Sequence, residues 1–289
     1  MIVIAVFVTF VGICLGSFVN ALVWRLRQQE LLSEKSEGKK LTKAERAQLA
    51  KLSITKGRSM CTHCGHELGA KDLVPVLSYL WLRGKCRYCG NKIEDTPVAE
   101  LLLGVAALLS YLFWPFALSG FMGGAVFGVW LVVITILLAL ALYDARWYIL
   151  PDQLVAALSV AAVLFVVSMG IEQGSWTPVL DALWGGLAIA GLFYLLYQLS
   201  GGQWIGGGDV KVAFALGLIS GSLTGAFLLI FVASLLGTLY AFVVSMATRK
   251  PLTGATRVPF GPFLIIAAFV VFLFGTEVVA WYRDLLLGL

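Results

Sequence analysis

Charge is what this sequence has least of. Asp, Glu, Lys and Arg make up 13% of its 289 residues, against 60% hydrophobic residues, and the mean hydropathy is +0.92. A soluble domain carries about 25% charged residues, and a soluble core could not hide this much apolar surface. The apolar runs are continuous and do not alternate with polar residues, which excludes membrane-spanning strands. The first run, Met1 to Trp24, has no basic region before it and no small-residue cleavage site after it. It reads as a retained first span and not as a removed signal peptide. The paired repeats and midplane-broken helices of many transporters are missing. So is a G-x-G-x-x-G in a strand-turn-helix context, and nothing resembles a nucleic-acid recognition element.

What is present is eight apolar segments, at about 2–24, 98–118, 121–143, 153–170, 178–199, 210–222, 224–247 and 260–282. Runs of about 20 residues each span a bilayer core. The expected fold is an all-α polytopic membrane protein of about eight transmembrane helices. A single polar block, residues 25–97, interrupts the pattern between helices 1 and 2. It holds 15 of the 21 Lys and Arg residues and 8 of the 16 acids. Lysine- and arginine-rich loops stay cytoplasmic. If the block is cytoplasmic, eight spans also bring the loops of Arg146, Lys211 and Arg249/Lys250/Arg257 inside, so that 20 of 21 basic residues share one side and Arg283 alone lies outside. Both termini are then extracytoplasmic. Residues 28–57 read as a short amphipathic hairpin or helix, and part of the block's positive charge is expected against anionic lipid headgroups.

Ionisable residues at membrane depth are costly and therefore functional candidates. Outside the polar block the acids are Glu100, Asp144, Asp152, Glu172, Asp181, Asp209, Glu277 and Asp284. The topology puts Asp144, Asp152 and Asp209 at cytoplasmic span ends. Asp144 closes the third span, and Asp209 opens the sixth in W-I-G-G-G-D-V-K, where three glycines let backbone and substrate approach closely. Two carboxylates brought together share one proton, which equips one as base and the other as acid for peptide hydrolysis. Alternatively each is a span-end acid paired with a neighbour, Asp144 with Arg146 and Asp209 with Lys211. Asp152, after Pro151, reads as a helix cap.

Four of the five cysteines form C-T-H-C and C-R-Y-C, 21 residues apart. Two such knuckles, Cys61/Cys64 and Cys86/Cys89, are a zinc signature that gives a closed, structural tetrahedral site. Reversible disulfides are the alternative, disfavoured in the cytoplasm. His63 and His66 could substitute as ligands, but four cysteines already fill the shell. Gly65 and Gly90 follow each second cysteine, as a tight knuckle requires. Cys14, in the first span, reads as a small buried hydrophobe.

These residues together resemble the type IV prepilin peptidases, bifunctional leader peptidases and N-methyltransferases of bacterial inner membranes with a GxGD-type aspartyl pair. The resemblance runs through G-S-F-V-N at 16–20, Arg25-Leu26, R-S-M-C-T-H-C-G-H, P-V-L-S-Y-L-W-L-R-G-K-C-R-Y-C, P-V-A-E-L-L, Asp144, the L-P-D at 150–152 and G-G-G-D-V-K. Arg27 and Asp95-Thr96-Pro97 depart from the family pattern, which has proline and Arg-Tyr-Pro there. The resemblance implies Asp144 and Asp209 as catalytic, and Cys61, Cys64, Cys86 and Cys89 as zinc ligands. It also implies prepilins and pilin-like secretion subunits as substrates, cut on the cytoplasmic side after a basic leader and a glycine. S-adenosylmethionine then methylates the new N-terminus, with Gly84, Lys85, Glu67 and Asp72 as candidates for the cofactor site. The implied domains are a transmembrane helix at 1–24, a cytoplasmic zinc-binding domain at 25–97 and a seven-helix peptidase domain at 98–289. A peptidase without methylation, or an ion- or proton-coupled transporter, are the competing functions.

Overall fold

A computed structural model of the chain describes every residue except 37–41, 43–48, 51, 55, 56, 94, 249–258 and 289, and the side chains of Ser36 and Leu287. Part of the stretch 28–57 and the basic loop of Arg249, Lys250 and Arg257 thus lie outside the described residues. The chain forms two compact units, Met1–Leu112 and Phe113–Leu289. Among the described residues the architecture is helical. The pairings outside helices are two isolated bridges, Met60 with Glu67 and Lys85 with Lys92.

The first unit holds α1 (Ile2–Ser36), the five-residue α2 (Leu77–Trp81) and α3 (Val98–Leu112). The second holds α4 (Gly120–Trp147), α5 (Asp152–Gln173), α6 (Thr177–Ser200), α7 (Gly207–Ile219), α8 (Leu223–Thr248) and α9 (Gly261–Leu287). All eight apolar segments are helices. Six, α1, α4, α5, α6, α8 and α9, are long and apolar enough to cross a membrane. The shorter two, α3 and α7, have 15 and 13 residues.

Several boundaries differ from the sequence reading. Helix α1 runs past Trp24 to Ser36, because no glycine or proline stops it and helix-forming Arg, Gln, Glu and Leu follow. Arg27 and Glu30, one turn apart, pair at 2.8 Å. Helix α3 ends at Leu112, six residues early, since Pro115 cannot continue it. Helix α4 continues through Asp144 to Trp147, where Tyr148 turns left-handed at φ 57° and donates its N–H to the Asp144 carbonyl. Cys14 is exposed and not buried. Gly12 and Gly16 face α3, and two residues along a helix is more than half a turn away.

Small residues set the close helix contacts. In the first unit, Gly12 and Gly16 lie against Ala107 and the Ala99–Glu100 backbone, a small-xxx-small seam between α1 and α3. In the second unit α7 is central, packed against α5, α6, α8 and α9. Its residues Val212, Ala213 and Ala215 through Ile219 are buried. A Cβ on Gly217 would stand 2.6 Å from the Gly185 carbonyl oxygen of α6, so the two backbones touch. This seam fixes where α7 begins, and therefore where Asp209 sits.

Gly217→Ala is expected to destabilise the chain by about 1–3 kcal/mol through overpacking, measured by unfolding in detergent micelles. Gly191→Ala, on the same α6 but with open space around its Cβ position, should be neutral or stabilising.

Candidate active site and cysteine cluster

Asp144 lies in the last turn of α4, buried with 7% of its surface exposed, and Asp209 lies partly buried in the first turn of α7. Their helices share α5 and α9 as neighbours. The two carboxylates are close enough to interact electrostatically. Each carboxylate is also held by a backbone N–H. Asp209 is the third residue of α7 and accepts from the N–H of its cap residue, Gly206, the reciprocal bond of a capping box. Asp144 accepts from the N–H of Gly261, the first residue of α9. A Cβ on Gly261 would come within 2.5 Å of Asp144 Oδ2. Only glycine lets this N–H reach the carboxylate.

Gly261, in the P-F-G-P stretch at 259–262, was missed by the sequence reading. A glycine between two prolines at a span start is a detectable signal, but its partner lies over a hundred residues away. Of the three glycines before Asp209, Gly208 has a related explanation. A Cβ on Gly208 would press on the Leu150 side chain at 3.1 Å, so the L-P-D and G-G-G-D segments meet there.

The proposed pairing of Lys211 with Asp209 is corrected. Lys211 Nζ instead donates to Asp152 Oδ1 at 2.6 Å, in an exposed ion pair. Lys211 is two residues from Asp209, and positions that close point to different sides of a helix. Asp152 is likewise not a cap. It is the first residue of α5, Pro151 occupies the cap position, and no side chain bonds there. Arg146 lies over the Trp147 ring, 6.0 Å from its centroid.

In the first unit the Sγ atoms of Cys61, Cys64, Cys86 and Cys89 all lie within 4.8 Å of one another. Cys61 and Cys89 are 3.8 Å apart. A tetrahedral zinc with bonds of about 2.3 Å needs sulfurs about 3.8 Å apart, so the residues fit that ion. The knuckles repeat one geometry. Cys61 N–H donates to the His66 carbonyl and Gly65 N–H to Cys61; Cys86 N–H donates to Asn91 and Gly90 N–H to Cys86, all at 2.8–2.9 Å. Gly65 and Gly90 have φ of 68° and 72°, left-handed turns that a side chain would strain. The thiols pull apart electrostatically. Burial works to raise Cys61, but the backbone N–H groups of Cys64 and His63 outweigh it and bring the thiol down to about 6. Asn91's backbone lowers Cys89, but burial and the neighbouring thiols reverse this and push it up to about 11. Four thiolates repel, and a bound cation removes that penalty. His66 packs on Tyr88, with ring centroids 3.7 Å apart and the planes tilted by 34°.

A cavity of about 180 Å³ lies between α1, the cysteine knuckles, α2 and the start of α3. Of the four cofactor candidates, Asp72 lines it. Burial opposes its ionisation, but Arg87 Nε at 2.7 Å, with the Gly69 N–H and Tyr88 hydroxyl, holds the carboxyl below its usual range. Gly84 (φ 67°) abuts Tyr79, whose ring lines the cavity. Lys85 is exposed beside Lys92, and Glu67 pairs with Arg58 at the surface. Glu100, named among the acids outside the polar block, carries no signal in the sequence that gives it a role. It is buried, lines the cavity, and accepts the Val76 N–H at 2.5 Å. Val76 has φ 60° and ψ −52°, a γ-turn closed by Leu77 N–H on the Pro75 carbonyl. For a β-branched residue this costs about 1–3 kcal/mol.

Two family descriptions match the chain: Bacterial Peptidase A24 N-terminal domain over residues 10–114, and Type IV leader peptidase family over residues 131–242. The four cysteines fall in the first match and both aspartates in the second. The Prepilin leader peptidase/N-methyltransferase of Pseudomonas putida is 33% identical over 96% of this chain and 93% of its own length. That of Stutzerimonas stutzeri is 32% identical, over 94% and 91%. That of Dichelobacter nodosus is 30% identical, over 94% and 92%. No solved structure matches.

Metal analysis of the purified chain is expected to find about one zinc per chain, the count a closed four-thiolate site takes. Cys61→Ser or Cys89→Ser should lose it. Stoichiometric zinc in both variants would move the site elsewhere.

Proposed function

This chain belongs to the type IV leader peptidase family, and on that premise we propose that Asp144 and Asp209 are the pair that cuts the leader from a prepilin. The observation that supports this reading is two carboxylates from separate helices within electrostatic range of each other, each held by a backbone N–H. One acts as base and takes a proton from water, whose oxygen attacks the scissile carbonyl carbon. The other acts as acid and protonates the amide nitrogen as the C–N bond breaks. The free amine so formed is the site of N-methylation. Substrates are prepilins and pilin-like secretion subunits, with a basic leader and an apolar helix after the cut.

The protein is a multi-pass inner-membrane protein, and the placement of basic residues supports a cytoplasmic active site with both termini outside. The second unit carries the peptidase pair, while α3, at the head of residues 98–289, packs with α1 in the first unit. Residues 25–97, folded around a closed zinc site at Cys61, Cys64, Cys86 and Cys89, serve methylation. A small segment of this kind needs a metal for stability. S-adenosylmethionine, when bound, supplies an electrophilic methyl on a sulfonium. The names of the relatives carry no transport activity, so the transporter alternative loses its support.

In membranes containing a prepilin, the chain should remove the leader, and the mature N-terminus should gain the mass of one methyl group. Asp144→Ala and Asp209→Ala should each abolish cleavage; full processing by either overturns the assignment. Gly261→Ala should lower the cleavage rate about 100-fold, because a misplacement near 1 Å costs that much. Unchanged cleavage by G261A would show that the Gly261 N–H does not position Asp144.

A further inference from the structure

We propose that the cavity of the first unit is the methyl-donor site and that Glu100 there faces the donor's positively charged sulfonium. The inference rests on the methylation reading above and adds a place and a recognising residue. The cavity is walled by α1 through Asn20 and Trp24, by α2 through Tyr79, and by α3 through Glu100. The Asn20 side chain donates to the Thr96 carbonyl at 3.3 Å, tying α1 to the segment entering α3. Gly16 lies against the backbone of Glu100 itself. The carboxylate is therefore placed by backbone packing and not by a flexible loop.

Three carboxylates line the cavity, Asp72, Asp95 and Glu100, and burial singles out Glu100. A buried carboxylate is costly unless a cation or several donors face it. The arginines around the cavity are engaged elsewhere. Arg25, itself buried, donates to the carbonyls of Ser53, Ile54 and Gly57. Arg58 pairs with Glu67, and Arg87 with Asp72. Lys92 is exposed. Asp72 is neutralised by Arg87, whereas the partner seen for Glu100 is one N–H, from the strained Val76. A cationic ligand supplies what this carboxylate lacks. Trp24 and Tyr79 line the cavity, and aromatic rings suit both a sulfonium, through cation–π attraction, and a flat purine base. Glu100 lies in the first turn of α3, so the charge of a helix N-terminus helps hold the anion there. Gly84 abutting Tyr79 connects this site to the G-K-C-R-Y-C segment without that segment's lysine entering the cavity.

The test compares a cation with its neutral twin. Binding of tritiated S-adenosylmethionine and of S-adenosylhomocysteine, the uncharged thioether left after methyl transfer, is measured on the purified full-length chain and on Glu100→Gln. Loss of one facing charge should weaken the sulfonium ligand about 10-fold or more while the thioether stays within about 2-fold. Equal affinities for both ligands in the two proteins, or equal losses of both, overturn the role of Glu100. Ultraviolet crosslinking of the tritiated donor to the unaltered chain provides a readout free of any folding defect. Label on peptides carrying Trp24 or Tyr79 supports the site, and label confined to other segments overturns it. A chain that cuts prepilin but binds no donor and adds no methyl overturns the methylation reading itself.

Discussion

Two carboxylates in apolar surroundings repel each other unless they share a proton, and the second unit is arranged around bringing such a pair together. Asp144 and Asp209 come from α4 and α7, which are held through common neighbours. Neither acid reaches its place by side-chain freedom. Asp209 is locked by the capping bond from Gly206, and Asp144 by the amide of Gly261 at the start of α9. Helix N-termini favour negative charge, so the starts of α7 and α9 stabilise the one negative charge the pair keeps when it shares a proton. A β-carbon would intrude on Asp144 from Gly261 and would press more lightly on the Leu150 side chain from Gly208.

The first unit solves a different problem. Its polar segment has little apolar material of its own, and two repeated knuckles gather four thiols within the reach of one ion. Those knuckles also form a wall of the cavity, together with α1 and α3. Zinc at the thiols would therefore shape the cavity as well as stabilise the segment, and loss of metal is coupled to loss of whatever binds beside it. The strained γ-turn at Val76 fits the same logic. Its amide is aimed at Glu100, and the surrounding packing sustains a backbone conformation that a free chain would abandon.

Much of this was legible in the sequence, and the rest was not for identifiable reasons. Apolar runs gave the helices, and their ends slipped where local chemistry intervened, as with Pro115 after α3 or the unbroken helix formers after Trp24. Asp144 and Asp209 stood out because an acid at a span end is expensive. The cysteines stood out by spacing. The Lys211–Asp152 pair, the Gly261 amide and the burial of Glu100 are contacts between residues far apart in the chain. Periodicity and spacing carry no record of such contacts. Gly217 and Gly185 belong to the same class: each is ordinary in sequence, and their function is visible only when the two backbones are seen to touch.

The central claim is that Asp144 and Asp209 work as one unit. The most direct measurement is the rate of prepilin cleavage by the double variant D144N/D209N beside each single asparagine variant, which keeps size and polarity. Groups that act as a unit are strongly non-additive. The account predicts that the double variant is no slower than the worse single one. Losses that multiply, with residual activity in each single variant, would contradict it.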